Sequence, residues 1–417
     1  MKLLINNGLI VDPGENLEAA GDLIIEDGII SEIILTDGKK PLYDRKLQND
    51  EDIVYLDAKG KWVVPGLIDL HVHLREPGFE YKEDIESGCK AAAKGGITTL
   101  CCMPNTNPAI DNAATVSYID QKSKKVADVN VLALGAVTKG QQGAEPADLM
   151  EMADVRTRCR ELTGKGICGI SEDGKTVENE EVMLRTMKKA KELGITVFSH
   201  AEPEVQIVER DLKLAELSGC SLHFCHISKK ESLELIRKAK KRGIPVTAET
   251  APHYFTLDSS QVNADVNKKM NPPLRTKEDV EAIIEALKDG TLDAIATDHA
   301  PHHVKDKELS FEKAANGVVG LETSFPISYT MLVKTGKLTP LELILKMSTA
   351  PADILGVDRG SLKIGKAADL AIIDVDQEYE VRPEDFASKA KNSPFLGMKV
   401  FGKVKDTIVD GKVIWED

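Results

Sequence analysis

His71 and His73 lie two residues apart within the apolar segment 63–74. Side chains at positions i and i+2 of a β-strand leave the same face, so two neutral imidazoles are placed to share one divalent ion. A solvated surface strand is the alternative interpretation, but the residues that alternate with the two histidines are all apolar. The spacing therefore predicts a metal clamp on a buried strand.

Other metal-binding side chains stand at the ends of further predicted strands. Asp173 follows the fourth strand, His200 and His226 end the fifth and sixth, and Asp298 and His299 end the eighth. Each one alone has a structural alternative, such as a hydrogen-bonded core histidine or an aspartate in a turn. Without His299, they and the first pair supply four histidines and two aspartates, which suit one or two zinc ions with an open position for water.

Four more residues are weaker candidates. Glu172 precedes Asp173 and points the other way on an extended chain. His223 faces away from His226 on the same strand and is interpreted as structural. We also expect His253 and His303 to be non-ligands.

The elements that must position these residues alternate between apolar strands and amphipathic helices. The strand candidates are residues 63–74, 96–104, 129–138, 166–172, 195–200, 221–227, 245–250 and 292–298. The helical segments between them end near Gly194, Gly243 and Gly290, where helix C-caps belong. Eight such units predict an α/β fold, a (β/α)₈ barrel with its active site at the carboxyl ends of the strands.

The two ends of the chain have a different character. Residues 1–62 and 353–417 carry short strands with turn glycines, which predicts one small β-sandwich built from both termini around a barrel at 63–352. The polar stretch from Lys39 to Asp52 is expected to be a loop.

Net charge, cysteine content and the length of apolar stretches restrict the classes of function that fit this chain. A net charge of −14 argues against nucleic-acid binding, and any anionic substrate must be met by a local cation. Seven cysteines without a Cys-x-x-Cys pair favour a reduced, cytoplasmic protein. The first apolar stretch is too short for a signal peptide, and we find no run of membrane-spanning length.

Five motifs carry a resemblance to a known family, and they occupy residues 65–78, 82–88, 103–108, 270–275 and 296–302. They closely resemble the bacterial type I dihydroorotases of the amidohydrolase superfamily, and the similarity spans nearly the whole chain. The bare His-x-His marks only the superfamily, whereas Arg75 with the Asn105 and Asn271 motifs is specific to dihydroorotases. The resemblance implies a zinc enzyme of de novo pyrimidine synthesis that interconverts N-carbamoyl-L-aspartate and L-dihydroorotate.

The resemblance also implies roles for individual residues. The zinc ligands would be His71, His73 and Asp298 for one ion, His200 and His226 for a second, and Asp173 bridging or supporting the pair. Asp298 would also act as general base and then acid. The substrate would be bound by Arg75, Asn105, Asn271 and His302. Related hydantoinases use a carboxylated lysine on the fourth strand, but residues 166–173 contain no lysine.

One departure from the family concerns assembly. Only 26 positions separate His200 from His226, where members of the family carry a longer segment. We expect a homodimer. The family is known to associate with aspartate transcarbamoylase, but the contacts for that association are in question because this segment is shorter.

A lid over the active site is expected at residues 302–318.

Two alternative functions remain open. A hydantoinase, dihydropyrimidinase or allantoinase would share the zinc chemistry but has no need of Arg75 with both asparagine motifs. A silent dihydroorotase-like subunit that scaffolds a transcarbamoylase would usually lose metal ligands, and this chain keeps all six.

Overall fold

The computed structural model describes residues 2–36 and 53–417. The predicted loop from Lys39 to Asp52 lies outside the described residues. Within these two ranges, no helix is both long enough and apolar enough to cross a membrane.

Eight parallel strands follow one another in sequence order around the barrel. They are β6 (Leu67–Val72), β7 (Ile97–Cys102), β8 (Asn130–Ala136), β9 (Gly169–Ser171), β10 (Val197–Ser199), β11 (Leu222–Phe224), β12 (Val246–Thr250) and β13 (Ala294–Ile295). The ring closes where Val72 pairs in parallel with His299, and the His73 amide donates to the His299 carbonyl at 2.8 Å. This confirms the predicted barrel.

Helices follow the strands and cover the outside of the barrel. They are α1 (Ile85–Lys94), α2 (Ala113–Val126), α3 (Leu149–Asp154), α4 (Arg158–Thr163), α5 (Glu180–Leu193), α6 (Glu204–Ser218), α7 (Lys230–Lys241), α8 (Pro252–Thr256), α9 (Lys277–Lys288), α10 (Val304–Lys307), α11 (Ser324–Ser328), α12 (Pro340–Ile344) and α13 (Ala350–Leu355). Gly194 caps α5 in the left-handed conformation, as predicted. Helix α7 buries Leu233 and Ile236 three residues apart and turns its lysines to solvent, which explains its amphipathic pattern.

Alternate residues along each barrel strand belong to two different cores. Leu100 and Val131 pack outward among the helices, whereas their neighbours Cys101 and Leu132 pack inside the barrel. This period of two fills both faces of the strands with apolar side chains, so the polar residues are left to the strand ends.

The two termini build a second sheet of eight strands. These are β1 (Lys2–Asp12), β2 (Leu17–Glu26), β3 (Ile29–Leu35), β4 (Ile53–Asp57), β5 (Trp62–Pro65), β14 (Leu370–Glu380), β15 (Lys399–Val409) and β16 (Lys412–Glu416). Their order is β16-β15-β14-β5-β1-β2-β3, with β4 also paired to β1. Both termini contribute, as predicted, and one hydrogen-bonded sheet surrounds a core that includes Leu23, Leu370 and Ile408.

The predicted first strand, 63–74, is divided between the two sheets. Its first part, β5, pairs with β1 and β14 in the terminal sheet, and its second part, β6, opens the barrel. The chain passes between them at Gly66, where a Cβ atom would lie 2.2 Å from Oγ1 of Thr98, so only glycine fits there. The domain ranges 1–62, 63–352 and 353–417 stay a prediction.

The terminal sheet also reaches the carboxyl end of the barrel through the segment 386–395. The hydroxyl of Ser388 donates to Glu83. The side chain of Asn392 accepts from the His302 amide at 3.2 Å and donates to the Gly317 carbonyl at 3.0 Å. The last part of the chain thus helps to hold the rim where the predicted site lies.

Candidate active site

The six predicted metal ligands meet at the carboxyl end of the barrel. Each follows or ends a parallel strand, so the topology brings together residues from five strands. All six are buried, with at most 6% of each residue exposed. They are His71, His73, Asp173, His200, His226 and Asp298. Buried carboxylates and imidazoles at this density require charge partners or a metal ion.

The backbone is strained where three of the predicted site residues leave their strands. Arg75, His226 and Asp298 have positive φ angles of 64°, 36° and 48°. Residues with a Cβ atom rarely occupy this left-handed region, at a cost on the order of 1 kcal/mol each. Such strain is typical of sites where side-chain direction matters more than local stability.

The first cluster contains the two histidines of β6 and two carboxylates. Nε2 of His71 and Nε2 of His73 each lie 3.3 Å from an oxygen of Asp173. Oδ1 of Asp298 lies 3.3 Å from Nε2 of His73 and 3.5 Å from Nε2 of His71. Four donor atoms therefore face one point.

The second cluster shares Asp173 with the first. Nδ1 of His200 lies 3.1 Å from Oδ1 of Asp173 and 2.9 Å from Nε2 of His226. Nε2 of His226 lies 3.6 Å from the same carboxylate oxygen. Asp173 is thus the common member of two groups, each with two imidazoles.

The donor set fits divalent cations. Nε2 of His71 is buried and makes no hydrogen bond, although carboxylate oxygens lie on two sides of it. Burial alone would raise the pKa of Asp173, but the charge of His71 and hydrogen bonds from His200 and His226 hold that pKa well below its usual value. An ionised carboxylate among imidazole nitrogens is a ligand set that suits zinc.

A buried carboxylate that the sequence interpretation missed orients His71. Glu249 ends β12 and accepts from Nδ1 of His71 at 2.9 Å and from Nε2 of His223 at 3.1 Å. Because the carboxylate only accepts, Nδ1 of His71 carries a proton, so a neutral His71 ring turns the lone pair of Nε2 to the cluster. The sequence did carry a signal, since Glu249 stands at the end of the seventh predicted strand.

His73 is oriented in the same way by Asn105. Nδ1 of His73 donates to Oδ1 of Asn105 at 2.8 Å, which leaves the lone pair on Nε2 free to bind a cation. The side chain of Asn105 also lines the cavity next to the clusters. The structure therefore gives this residue a contact with a predicted ligand as well as a place beside the substrate space.

A cavity of about 190 Å³ opens onto the two clusters. It is lined by His73, Arg75, Asn105, Asp173, Gly174, His200, His226, Asn271, Asp298, Ala300, His302, Asn316 and Gly317. All four predicted substrate-binding residues are in this set. A larger cavity of about 400 Å³ lies between α1, α11 and the terminal sheet, but it contains none of the predicted site residues.

Arg75 provides the local cation that an acidic protein needs for an anionic substrate. Its Nε donates to the Pro301 carbonyl at 3.1 Å, and it forms no ion pair with any carboxylate of residues 2–36 and 53–417. Burial lowers the pKa of Arg75 to about 10, so the guanidinium stays charged at neutral pH. Its Nη2 lies 3.4 Å from Nε2 of His302, and its other N–H groups are available to a ligand in the cavity.

His302 is held by the protein through both ring nitrogens. Nδ1 lies 3.2 Å from Nζ of Lys82, and Nε2 lies 2.7 Å from the Asn316 carbonyl. Because an ammonium cannot accept, Nδ1 accepts and Nε2 carries the proton. Burial, Arg75 and Lys82 lower the pKa of His302 to about 2, so the ring is neutral. Its predicted contact with substrate stays a prediction.

The remaining candidates lie outside the two clusters. Glu172 accepts from the Thr138 amide at 3.0 Å. His253 packs beside Tyr254 in α8, and the side chain of His303 caps α10. His299 accepts from the Gly320 amide at 3.1 Å. None of these four residues lines the cavity.

Replacing Glu249 with alanine is expected to lower the free energy of unfolding by about 3 kcal/mol, because two buried imidazole N–H groups would lose their acceptor. Urea unfolding of parent and variant at equal metal content measures this. The matched control is the exposed Glu234 on α7, whose replacement should change stability by no more than about 0.5 kcal/mol. Equal stability of the two variants would contradict the role given to Glu249.

Comparisons with known proteins agree with this geometry. The model of the amidohydrolase family matches residues 62–414, and the chain therefore belongs to the amidohydrolase family. Its fold is similar to that of a D-hydantoinase, with a TM-score of 0.86 and 28% identity over 100% of this chain and 96% of the other. The L-hydantoinase of Arthrobacter aurescens has a TM-score of 0.85 and 25% identity over 99% and 96% of the two chains.

Sequence relatives place the chain more narrowly. It is 45% identical to the dihydroorotase of Geobacter metallireducens over 100% of both chains. It is 44% identical to the dihydroorotase of Ruminiclostridium cellulolyticum over 99% of this chain and 98% of the other. Within the amidohydrolases, the chain is a member of the bacterial dihydroorotases, which confirms the resemblance found in its motifs.

Proposed function

We propose that this site catalyses the reversible interconversion of N-carbamoyl-L-aspartate and L-dihydroorotate in pyrimidine biosynthesis. The observation that carries the proposal is the charged guanidinium of Arg75, which has no carboxylate partner among residues 2–36 and 53–417 and lines a small cavity beside two histidine–aspartate clusters. Both compounds carry a carboxylate that the reaction leaves unchanged. The full-length identity to dihydroorotases supports the same assignment.

The metal that this proposal requires is zinc, in one or two ions per subunit. One ion would be held by His71, His73 and Asp298, a second by His200 and His226, and Asp173 would be shared between them. When bound, zinc lowers the pKa of a water molecule toward neutrality and polarises an amide carbonyl. Glu249 and Asn105 support this assignment, because they fix the tautomers of His71 and His73 with Nε2 facing inward.

Arg75 would bind the carboxylate of the substrate through its planar pair of N–H donors. The amides of Asn105 and Asn271 line the same cavity and would hydrogen-bond the polar edge of the ring. The neutral His302 would form part of the wall next to the carboxylate. These contacts fix the ring with its amide carbonyl toward the clusters.

Asp298 would move the proton. Its carboxylate lies beside the histidines of β6, and the positive charge of a protonated His71 opposes the effect of burial and lowers its pKa below the usual value. An ionised oxygen of Asp298 can accept a proton from the attacking water and deliver it to the departing ring nitrogen. In the direction of ring closure, the same oxygen takes the proton from the ureido nitrogen.

Arg75→Met tests the substrate. The variant should raise KM for dihydroorotate by the equivalent of about 2–4 kcal/mol, because a charge-assisted pair is lost. Dihydrouracil has the same ring amide but no carboxylate, so the parent should hydrolyse it poorly and the variant no worse. A folding or metal defect would lower both activities together. A parent enzyme that prefers dihydrouracil or hydantoin to dihydroorotate would overturn the proposal in favour of a hydantoinase.

The assembly of the enzyme is a separate proposal. A homodimer follows from the resemblance to the family, and association with aspartate transcarbamoylase depends on the segment between His200 and His226, where α6 begins only four residues after His200. Size-exclusion chromatography with light scattering, with and without the transcarbamoylase of the same organism, measures both. A monomer both with and without the transcarbamoylase would exclude the homodimer and the association.

A further inference from the structure

The cavity has a wall that is held by a buried lysine. We call residues 302–317 the wall segment, because His302, Asn316 and Gly317 line the cavity. Lys307 lies within this segment with only 4% of the residue exposed. Its Nζ lies 2.9 Å from the Ala315 carbonyl, 3.0 Å from the Gly317 carbonyl and 3.3 Å from the Lys269 carbonyl.

These three carbonyl groups belong to two separate stretches of chain that both reach the cavity. Ala315 and Gly317 flank Asn316, whose carbonyl accepts from His302. Lys269 lies two residues before Asn271, which also lines the cavity, and its carbonyl accepts from the Gly317 amide at 3.0 Å. The ammonium of Lys307 therefore connects the wall segment to the loop that carries Asn271.

Stability alone does not explain this arrangement. Lys307 forms no ion pair within the described residues, so a buried charge is compensated only by backbone carbonyl groups. Burial and the neighbouring Lys269 lower the pKa of Lys307 to about 8, which leaves the ammonium mostly charged at neutral pH. An apolar side chain of similar length would avoid the cost of desolvating this charge.

We propose that Lys307 is a positioning residue that holds the wall segment against the loop of Asn271 and thereby sets the affinity for the substrate. Lys307 does not line the cavity, so it acts through the residues it holds. This inference rests on the proposed function for the identity of the substrate. That Lys307 connects the wall segment to the loop of Asn271 does not depend on the identity of the substrate.

Lys307→Met tests the proposal in the metal-loaded enzyme. We expect KM for dihydroorotate to rise about tenfold or more with kcat changed less than about threefold, because substrate binding loses its ordered wall while the reacting groups stay in place. Amide hydrogen exchange in residues 302–317 should become at least about tenfold faster, because local opening becomes easier.

The matched control is Lys346→Met. Lys346 is also a buried lysine, and its Nζ donates to the Leu292 carbonyl at 2.7 Å, at the opposite end of the barrel. This variant should leave KM and the exchange of residues 302–317 unchanged. If Lys307→Met does not fold, Lys307→Gln keeps a polar donor and should give an intermediate rise in KM.

Unchanged KM and unchanged exchange in a folded Lys307 variant would overturn the proposal, and so would equal effects in the Lys346 control. A change in kcat without a change in KM would also overturn it, because it would place Lys307 in the chemical step. If the parent does not act on dihydroorotate, the proposed function fails, while the exchange measurement still decides whether Lys307 holds the wall segment.

Discussion

Replacing both His71 and His73 with alanine is expected to remove the metal and to abolish turnover, while the barrel and the terminal sheet still fold. The two rings supply both nitrogen donors of the first cluster, and only the carboxylates of Asp173 and Asp298 would remain there. The strand that carries the histidines keeps its apolar residues, so its packing survives. Mass spectrometry measures the metal content, circular dichroism measures folding, and a dihydroorotate assay measures turnover.

The control for this double variant is His303→Ala. His303 lies on the same rim but outside both clusters, so its removal should leave metal content and turnover close to those of the parent. Full metal content in the double variant would show that the clusters described here are not the metal site. A chain that fails to fold would show that the site is part of the folding core.

Asp298→Asn should leave most of the metal bound and lower kcat by about a thousandfold or more. The amide has the size of the carboxylate and can still bind a cation through its oxygen, but it cannot accept the proton of the attacking water. Stopped assays in both directions, together with metal analysis, measure the effect. The exposed Asp358 offers a matched control, and its change to asparagine should have no effect on kcat.

Activity of the Asp298 variant within tenfold of the parent would remove this residue from proton transfer. Loss of the metal in parallel with loss of activity would instead assign Asp298 to metal binding alone. The two outcomes are separated because metal content and kcat are measured on the same preparation.

The barrel and the clustering of polar residues at its rim could be predicted from the sequence because both follow local rules. Buried parallel strands appear as short apolar runs, and their carboxyl ends meet on one rim whatever the details of packing. Residues such as His200 and Asp173 therefore fall together once the strands are recognised. Glu249 also stands near a strand end, but no local pattern shows that it contacts His71, which lies 178 positions away in the sequence.

Other features depend on contacts between distant segments and leave no local pattern. An apolar run cannot show that it changes sheets at Gly66, since both β5 and β6 are buried and extended. Lys307 is an ordinary lysine in the sequence, and its three carbonyl partners become visible only in the folded wall segment. The contacts of His302 with Lys82 and Asn316 are of the same kind, which is why its tautomer could not be predicted.

The shared terminal sheet has a consequence for how the protein is made. The edge of β5 that finally pairs with β14 is complete once residue 65 has been synthesised, but its partner follows some 300 residues later. At about 5–20 residues per second, that edge stays open for roughly 15–60 seconds on the ribosome. Unpaired strand edges are templates for pairing with other chains. The edge of β5 in nascent chains is therefore open to wrong pairing between two copies until β14 has been synthesised.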